Sequence, residues 1–302
     1  MNVIGFDTSN YTTSIACFDG VDGVNCSRLL PVKPGELGLR QSDAVFSHTK
    51  SLPELSGRLF SDLRQISAVG VSTRPRAVEG SYMPCFMVGY SHAKLLSDAL
   101  QVPLFEVSHQ QGHVAACLWS AGRLDLMDQP HLAWHLSGGT TELLLVEPEG
   151  KNVKCTKIGG TTDISAGQLI DRTGVMLDLP FPAGKHVDLL SKEAENTDLF
   201  KVKCPGLEFS LSGVQNKVQQ YAETNRPAET AAYALRCVCY AVQAATRNAQ
   251  KAYPGLEVVF SGGVASNSML RAVMKEAIFS EPAYSTDNAM GVAVLAHRLL
   301  EG

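Results

Sequence analysis

Two histidines four residues apart, His109 and His113, lie in the stretch Val107-Ser108-His109-Gln110-Gln111-Gly112-His113-Val114. The apolar run 102–107 before them reads as a buried strand. Ser108 suits a helix N-cap, and Gln111 stands three residues on, at the capping-box spacing. The histidines therefore fall in the first turns of a helix, where residues four apart share a face with Cβ atoms about 5–6 Å apart. Two imidazoles so placed can grip one metal ion if a third ligand, often a carboxylate, comes from elsewhere in the chain. The spacing equally suits two polar residues on a half-exposed helix face. His131 and His135 share the spacing, but their segment reads as a strand, where they would stand roughly 13 Å apart and could not share an ion. Asp287, in the polar loop Ser285-Thr286-Asp287-Asn288 ahead of the last helix, is the candidate third ligand. Taken alone, such an aspartate also reads as an N-cap or a solvated side chain.

Three glycine- or hydroxyl-rich turns follow strands: Asp7 to Thr13, Ser137-Gly138-Gly139-Thr140-Thr141, and Ser261-Gly262-Gly263-Val264-Ala265-Ser266-Asn267. Glycine lets backbone approach a ligand closely, and inward-pointing N–H groups make a nest for phosphate. The third turn also opens a helix, whose N-terminus favours anions. Any one of these turns fits a hairpin without a ligand. Three of them suggest a nucleotide held between two lobes, and a β-branched residue at Gly139 is expected to obstruct its loop. Neither the P-loop lysine motif nor the G-x-G-x-x-G fingerprint is present.

The elements that must position these residues follow from pattern. Strands are expected at 2–6, 14–19, 24–32, 66–71, 102–107, 131–136, 142–147 and 258–260. Helices are expected at 46–63, 83–100, 163–177, 189–195, 214–222, 228–252, 268–278 and 289–300, with loops at 34–41, 72–76 and 181–184. A shift of 130 residues lays Asp7 on Ser137 and Gly20 on Gly150, so each half opens with strand, small-polar turn and strand. That repetition suggests an α/β protein of two duplicated lobes facing each other across a cleft, although two unrelated hairpins would look the same. The expected lobes are 1–128, completed by the helix 289–302, and 129–288. The 302 residues suffice for two domains. A net charge of −4 excludes a strongly basic surface overall, so a nucleic-acid role needs a local basic patch or a partner subunit. No apolar run reaches the length of a membrane span. None of the eight cysteines forms a C-x-x-C pair, and no signal peptide is read at the start, so the thiols are expected reduced and mostly buried.

In order along the chain come strand-His-x-x-x-His, Ser-Gly-Gly-Thr, Asp163 to Asp171 followed by Phe-Pro-x-Gly, Phe-Ser-x-Ser-Gly, Gly-Gly-Val-x-x-Asn and Thr-Asp-Asn. Together they resemble the tRNA threonylcarbamoyladenosine transferase family, also called O-sialoglycoprotein endopeptidase, over nearly the whole chain. The resemblance implies the actin-like ATPase fold shared with sugar kinases and Hsp70. It implies a cytoplasmic enzyme that moves a threonylcarbamoyl group from its adenylate to the adenosine next to the anticodon of tRNA, with protein partner subunits possible in a tRNA-modifying complex. By motif, His109, His113 and Asp287 would hold one iron or zinc ion. Ser137, Gly138, Gly139, Thr140, Thr141, Asp171, Gly184, Gly262, Gly263 and Asn267 would hold the adenine nucleotide, either the AMP moiety of the adenylate or ATP. Ser9 and Thr12 would stand in the catalytic first loop.

The chain also departs from that pattern. The family's first loop usually reads Glu-Thr-Ser-Cys-Asp-Glu-Thr; here it is Asp7-Thr8-Ser9-Asn10-Tyr11-Thr12-Thr13, so two acids have become Tyr11 and Thr12. Arg74-Pro75-Arg76-Ala77-Val78 replaces a Gly-Pro-Gly-Leu loop, and Thr140-Thr141-Glu142 replaces His-Thr-Gln. The metal and nucleotide framework is thus kept better than the acceptor side, as in a divergent paralogue. Other readings are a carbamoyltransferase with a different acceptor and a non-catalytic partner subunit; relatives serving as scaffolds lack the histidine pair that this chain keeps. An H-E-x-x-H metallopeptidase is disfavoured because Gln110 stands where the general base should be.

Overall fold

The computed structural model describes residues 1–9, 11–31, 39–60 and 65–302. They form two compact units: one from Met1–Pro130, Glu147–Cys155 and Asp287–Gly302, the other from His131–Val146 and Thr156–Thr286. The expected loop at 34–41 and the last residues of the expected strand 24–32 and helix 46–63 lie wholly or partly outside the described residues.

In the first unit, β1 (Asn2–Thr8), β2 (Thr12–Phe18), β3 (Gly23–Leu29), β4 (Ile66–Arg74) and β5 (Leu104–Ser108) form one sheet in the order β3-β2-β1-β4-β5. The first three strands run antiparallel, while β1, β4 and β5 are mutually parallel neighbours. Helices α1 (Gln41–Leu59) and α2 (Phe86–Leu100) cover one face, over a core of Ile4, Phe6, Ile15, Leu52, Leu55, Val69 and Val71. On the other face lie α3 (His109–Ser120) and the last helix, Met290–Leu300. Side chains alternate along a strand, so with Ile4 and Phe6 against α1 and α2, residues Val3, Gly5 and Asp7 face the opposite way. Small residues bring the last helix down onto that face: a Cβ at Gly5 would overlap the Ala289 carbonyl and the Ala293 backbone, and one at Gly70 would press on Val292 and Ala296.

The second unit holds β6 (His131–Leu136), β7 (Thr141–Glu149), β8 (Asn152–Thr161), β9 (Glu208–Phe209), β10 (Val258–Ser261) and β11 (Ile278–Phe279), in the order β11-β10-β6-β7-β8-β9. Its helices are α4 (Ala166–Met176), α5 (Gly184–Ser191), α6 (Ser212–Ala222), α7 (Pro227–Ala252) and α8 (Ser268–Val273), and the helix Met290–Leu300 of the first unit is α9. The run β8-β7-β6-β10-β11 repeats the run β3-β2-β1-β4-β5: β6 pairs antiparallel with β7 as β1 does with β2, and the two steps beyond β6 and beyond β1 are parallel. The duplication read from two strands therefore extends to five, and β9 is an added edge. Trp134 is fully buried at the centre, against Phe260 and the α7 residues, and its Nε1 donates to Thr246 Oγ1 at 2.9 Å. The tip of the β7–β8 hairpin, 147–155, groups with the first unit, where Gln111 Nε2 donates to Val153 O and Arg298 Nε to Lys151 O.

Several elements differ from their expected bounds. Helix α1 starts at Gln41, and α2 starts only at Phe86, after Pro84. Residues 72–74, expected as loop, continue β4 because β5 supplies a parallel partner there. Asp163 is not helical; Ser165 starts α4 instead through a capping box with Gln168, and Asp163 accepts from Leu211 N, Ser210 Oγ and Ser212 Oγ. Helix α5 starts five residues before the expected 189–195 segment and ends within it at Ser191, and α8 stops at Val273 so that Ile278 and Phe279 can pair with β10. Strand β8, interrupted by Lys154 and Lys157, gave no period-2 signal. All eight cysteines are free; five are buried and Cys26, Cys155 and Cys204 are partly exposed. Among the described residues, no helix is long and apolar enough to cross a membrane.

Candidate metal centre and nucleotide loops

In the first unit, Ser108 caps α3 as its sequence demands: its hydroxyl accepts from Gln111 N and its N–H donates to Gln111 Oε1 at 2.8 Å. The capped first turn sets His109 and His113 on one face. Their Nε2 atoms stand 3.0 Å apart. Asp287 Oδ1 lies 3.2 Å from His113 Nε2 and 3.5 Å from His109 Nε2. Donors about 2.1 Å from one ion stand about 3.0 Å apart at right angles and about 3.4 Å apart at tetrahedral angles. The three separations thus fit donors shared by a single ion, and His131 and His135 do not join them.

The register comes from a close crossing of α3 and α9. A Cβ on Gly291 of α9 would overlap the Gly112 carbonyl oxygen of α3 and crowd Ala116 N. Only glycine allows the two backbones to meet there. Gly112 adjoins His113 and Gly291 lies four residues after Asp287, so the same crossing places the carboxylate beside the imidazoles.

Behind the triad sits Asp7, which was not singled out from sequence. It is 1% exposed; its Oδ2 accepts from His109 Nδ1 at 2.7 Å and its Oδ1 from Ser72 Oγ at 2.7 Å. An Nδ1–H held by a carboxylate leaves the Nε2 lone pair directed at the triad, the usual arrangement of a metal-ligating histidine. Burial alone would lower the His109 pKa; the carboxylates of Asp7 and Asp287 outweigh it and raise it to about 10, so an ion that binds at Nε2 must displace a proton there. For Asp287 burial works upward, but its bonds to His109 and His113 hold the carboxyl well below its ordinary range. The sequence signal for Asp7 was an acid two residues beyond Gly5 on the face that α9 covers.

Around the first loop, Thr12 opens β2, buried, and Tyr11 is exposed. Ser9 Oγ is buried without a hydrogen-bond partner among the described residues. Thr13 Oγ1 lies 2.8 Å from His48 Nδ1, and burial keeps His48 below its ordinary pKa. Pro75 O accepts from Gln110 N, which ties the residue between Arg74 and Arg76 to the first turn of α3.

In the second unit the parallel pair β6 and β10 end side by side, and the turns 137–141 and 261–267 leave them at the same end of the sheet. Ligands of open α/β sheets sit beyond the carboxyl ends of parallel strands. The first turn is closed by Ser137 N to Thr140 O and by Thr140 N to Ser137 Oγ. It is anchored on α4: Ser165 Oγ donates to Gly138 O, Ala166 N donates to Thr141 Oγ1, and a Cβ on Gly167 would overlap Ser137 O. A Cβ on Gly138 or Gly139 meets no protein atom, so the expected obstruction at Gly139 is not internal to the loop. Gly262 has φ +91° and no room for a Cβ against the Leu136 carbonyl, whereas Gly263 is nearly open. Asn267 has structural work: its Oδ1 caps α8 at Leu270 N, and its Nδ2 donates to Asp188 Oδ1 at 2.7 Å. Asp171 Oδ1 accepts from Ala183 N at 2.8 Å, beside Gly184 at the start of α5; burial raises its carboxyl and this bond lowers it only in part.

A family model described as TsaD, tRNA N6-adenosine threonylcarbamoyltransferase, matches residues 41–294. The chain belongs to this family. The tRNA N6-adenosine threonylcarbamoyltransferase of Carboxydothermus hydrogenoformans is 34% identical over 253 residues, covering 79% of this chain and 73% of that one. The transferase of Persephonella marina is 28% identical over 99% of this chain and 90% of its own. Among solved structures, full-length HypF in a phosphate- and nucleotide-bound form matches with TM-score 0.65 and 14% identity; this chain is covered entirely and spans 47% of HypF. An activator of 2-hydroxyisocaproyl-CoA dehydratase from Clostridium difficile matches with TM-score 0.56 at 14% identity, covering all of this chain and 96% of that one. The fold is that of the actin-like ATPases, α/β with two related sheets, and the family makes this chain a transferase.

Proposed function

We propose that this family member transfers a threonylcarbamoyl group from threonylcarbamoyl-adenylate to the adenosine next to the anticodon of tRNA, with a metal ion held by His109, His113 and Asp287. The observation that carries the metal is the convergence of two Nε2 atoms and one carboxylate oxygen at 3.0–3.5 Å, with Asp7 fixing the His109 tautomer. Two neutral nitrogens and one carboxylate suit iron or zinc and leave positions open for an oxygen ligand. Such an ion, when bound, supplies Lewis acidity toward a phosphoryl or carbonyl oxygen.

The chain's own residues do the rest. With Ser137 N–H already bonded to Thr140 O, the backbone N–H groups of Gly138 and Gly139 are the ones that can donate to the adenylate phosphate. Gly262 and Gly263 bring the neighbouring backbone close to the same ligand, while Thr140, Thr141, Asp171 and Gly184 frame it. Asn267 acts on the nucleotide by holding the start of α8. Ser9 Oγ, already removed from water and without a partner among the described residues, gains one when a polar group binds beside it. Thr12 is a poor base at neutral pH and serves to orient rather than deprotonate. We read the protein as cytoplasmic and working with partner subunits of a tRNA-modifying complex.

A second reading, transfer to a different acceptor, is favoured by one set of residues: Tyr11 and Thr12 remove two acids from the first loop, while Arg74 and Arg76 flank the residue bonded to α3. Complementation of cells depleted of their own transferase, with the usual partner proteins supplied, decides between them. Restored threonylcarbamoyladenosine in bulk tRNA supports the tRNA acceptor. No modification, with metal and nucleotide still bound, supports the other acceptor. Elemental analysis of wild type against His113→Ala tests the triad: about one ion against none is expected, and equal content refutes the site.

A further inference from the structure

We infer that a basic cavity in the second unit, away from the glycine-rich turns, binds the phosphodiester backbone of structured RNA; this rests on the tRNA reading above and gives it a second point of contact. The cavity has a volume of about 370 Å³, and Lys201, Lys203, Arg247 and Lys251 line it with no acidic residue among its walls. The fold builds it from two periodicities. Segment 201–204 runs beside α7, where Asn248 Nδ2 donates to Cys204 O and Gly206 O. Val202 is buried in the core, so its neighbours Lys201 and Lys203 are both turned outward. On α7, Ala245 and Ala249 are buried, and the exposed Arg247 and Lys251 fall four apart on the outer face.

None of these four cations forms an ion pair with a described residue; Arg247 reaches only the neutral Gln243. Like charges at helical and cross-cavity spacing repel, and this chain, with 30 acidic residues, has carboxylates enough to neutralise them. A polyanion resolves that repulsion. Lysine and arginine clusters of this kind contact phosphates without reading sequence, which suits a site that grips the body of a tRNA. It also gives a chain of net charge −4 the local basic patch that RNA binding requires.

The test is fluorescence anisotropy of labelled total tRNA with the purified protein across a salt series, comparing wild type with Lys201→Gln/Lys203→Gln/Lys251→Gln. Each lost phosphate contact removes about 0.7–0.9 from the slope of log affinity on log salt, so the triple variant should be shallower by about 2.1–2.7. Its affinity at low salt should fall at least about tenfold, with melting temperature and metal content unchanged. Equal affinity and slope in both proteins overturn this site and leave the tRNA reading standing. Wild type that binds no tRNA overturns the acceptor reading and this site together. Displacement of tRNA by equimolar inorganic pyrophosphate assigns the cavity to a small polyphosphate and overturns the RNA assignment.

Discussion

Replacing Gly291 with alanine tests how the metal triad is assembled. The added Cβ would overlap the Gly112 carbonyl oxygen and crowd Ala116 N, both rigid backbone atoms, so α3 and α9 must part by roughly an ångström to clear it. Overpacking of this kind costs about 1–3 kcal/mol, while alanine in a helix gains up to about 1 kcal/mol over glycine. A net loss of about 1–2 kcal/mol lowers the melting temperature by about 1.5–3 °C for a chain of 302 residues. The site is less tolerant than the fold, because metal–ligand distances hold to about 0.2 Å. Drawing Asp287 away from His109 and His113 should therefore weaken metal binding at least about tenfold. Gly57→Ala in α1 is the control: the same change, exposed, with nothing within reach of the new Cβ, should raise stability by about 0.5–1 kcal/mol. Thermal melting and chelator competition on the three proteins give the answer. Gly291→Ala that melts at or above wild type and retains its metal would refute the idea that this crossing sets the triad.

Asp7→Ala should free His109 to rotate and lower metal affinity about 10–100-fold, read by chelator competition; an unchanged affinity removes Asp7 from the centre. For Asp171, burial raises the carboxyl pKa, so the folded state holds its proton more tightly than the unfolded chain, and the ionised side chain lowers stability as pH rises through and above the carboxylate range. Asp171→Asn keeps the bond to Ala183 N, and its melting temperature should match or exceed wild type at neutral pH, with the advantage vanishing in acid; a lower value at pH 7 contradicts the sign. Gly139→Val should leave melting unchanged, since its Cβ meets no protein atom, yet lower AMP affinity at least about tenfold, about 1.4 kcal/mol, in calorimetric titration. Unaltered AMP affinity would take Gly139 out of the nucleotide site.

Local sequence determined those features whose causes are local. Ser108 and Gln111 form a capping box wherever the chain can start a helix, so the placement of His109 and His113 on one helix face was legible from spacing. Short, largely apolar runs at 2–6 and 131–136, each followed by a small-polar turn, marked β1 and β6, and their similar turns revealed the duplication. Weakly patterned segments were not legible: β8 carries lysines, β11 has two residues, and each is a strand only because a neighbour offers its edge. Asp163 read as helix because nothing nearby showed that three donors 47 to 49 residues on would claim its carboxylate. The metal centre shows the same division. Sequence provided two imidazoles on one face and a free-standing Asp287, but Asp7 and Ser72 joined them only when β1 and β4 paired. Asp287 came within 3.2 Å of His113 because Gly112 and Gly291, 179 positions apart, let two helix backbones touch. Periodicity encodes which way a side chain faces; which distant side chain it meets depends on close packing between elements, and that is fixed only when the whole unit has folded.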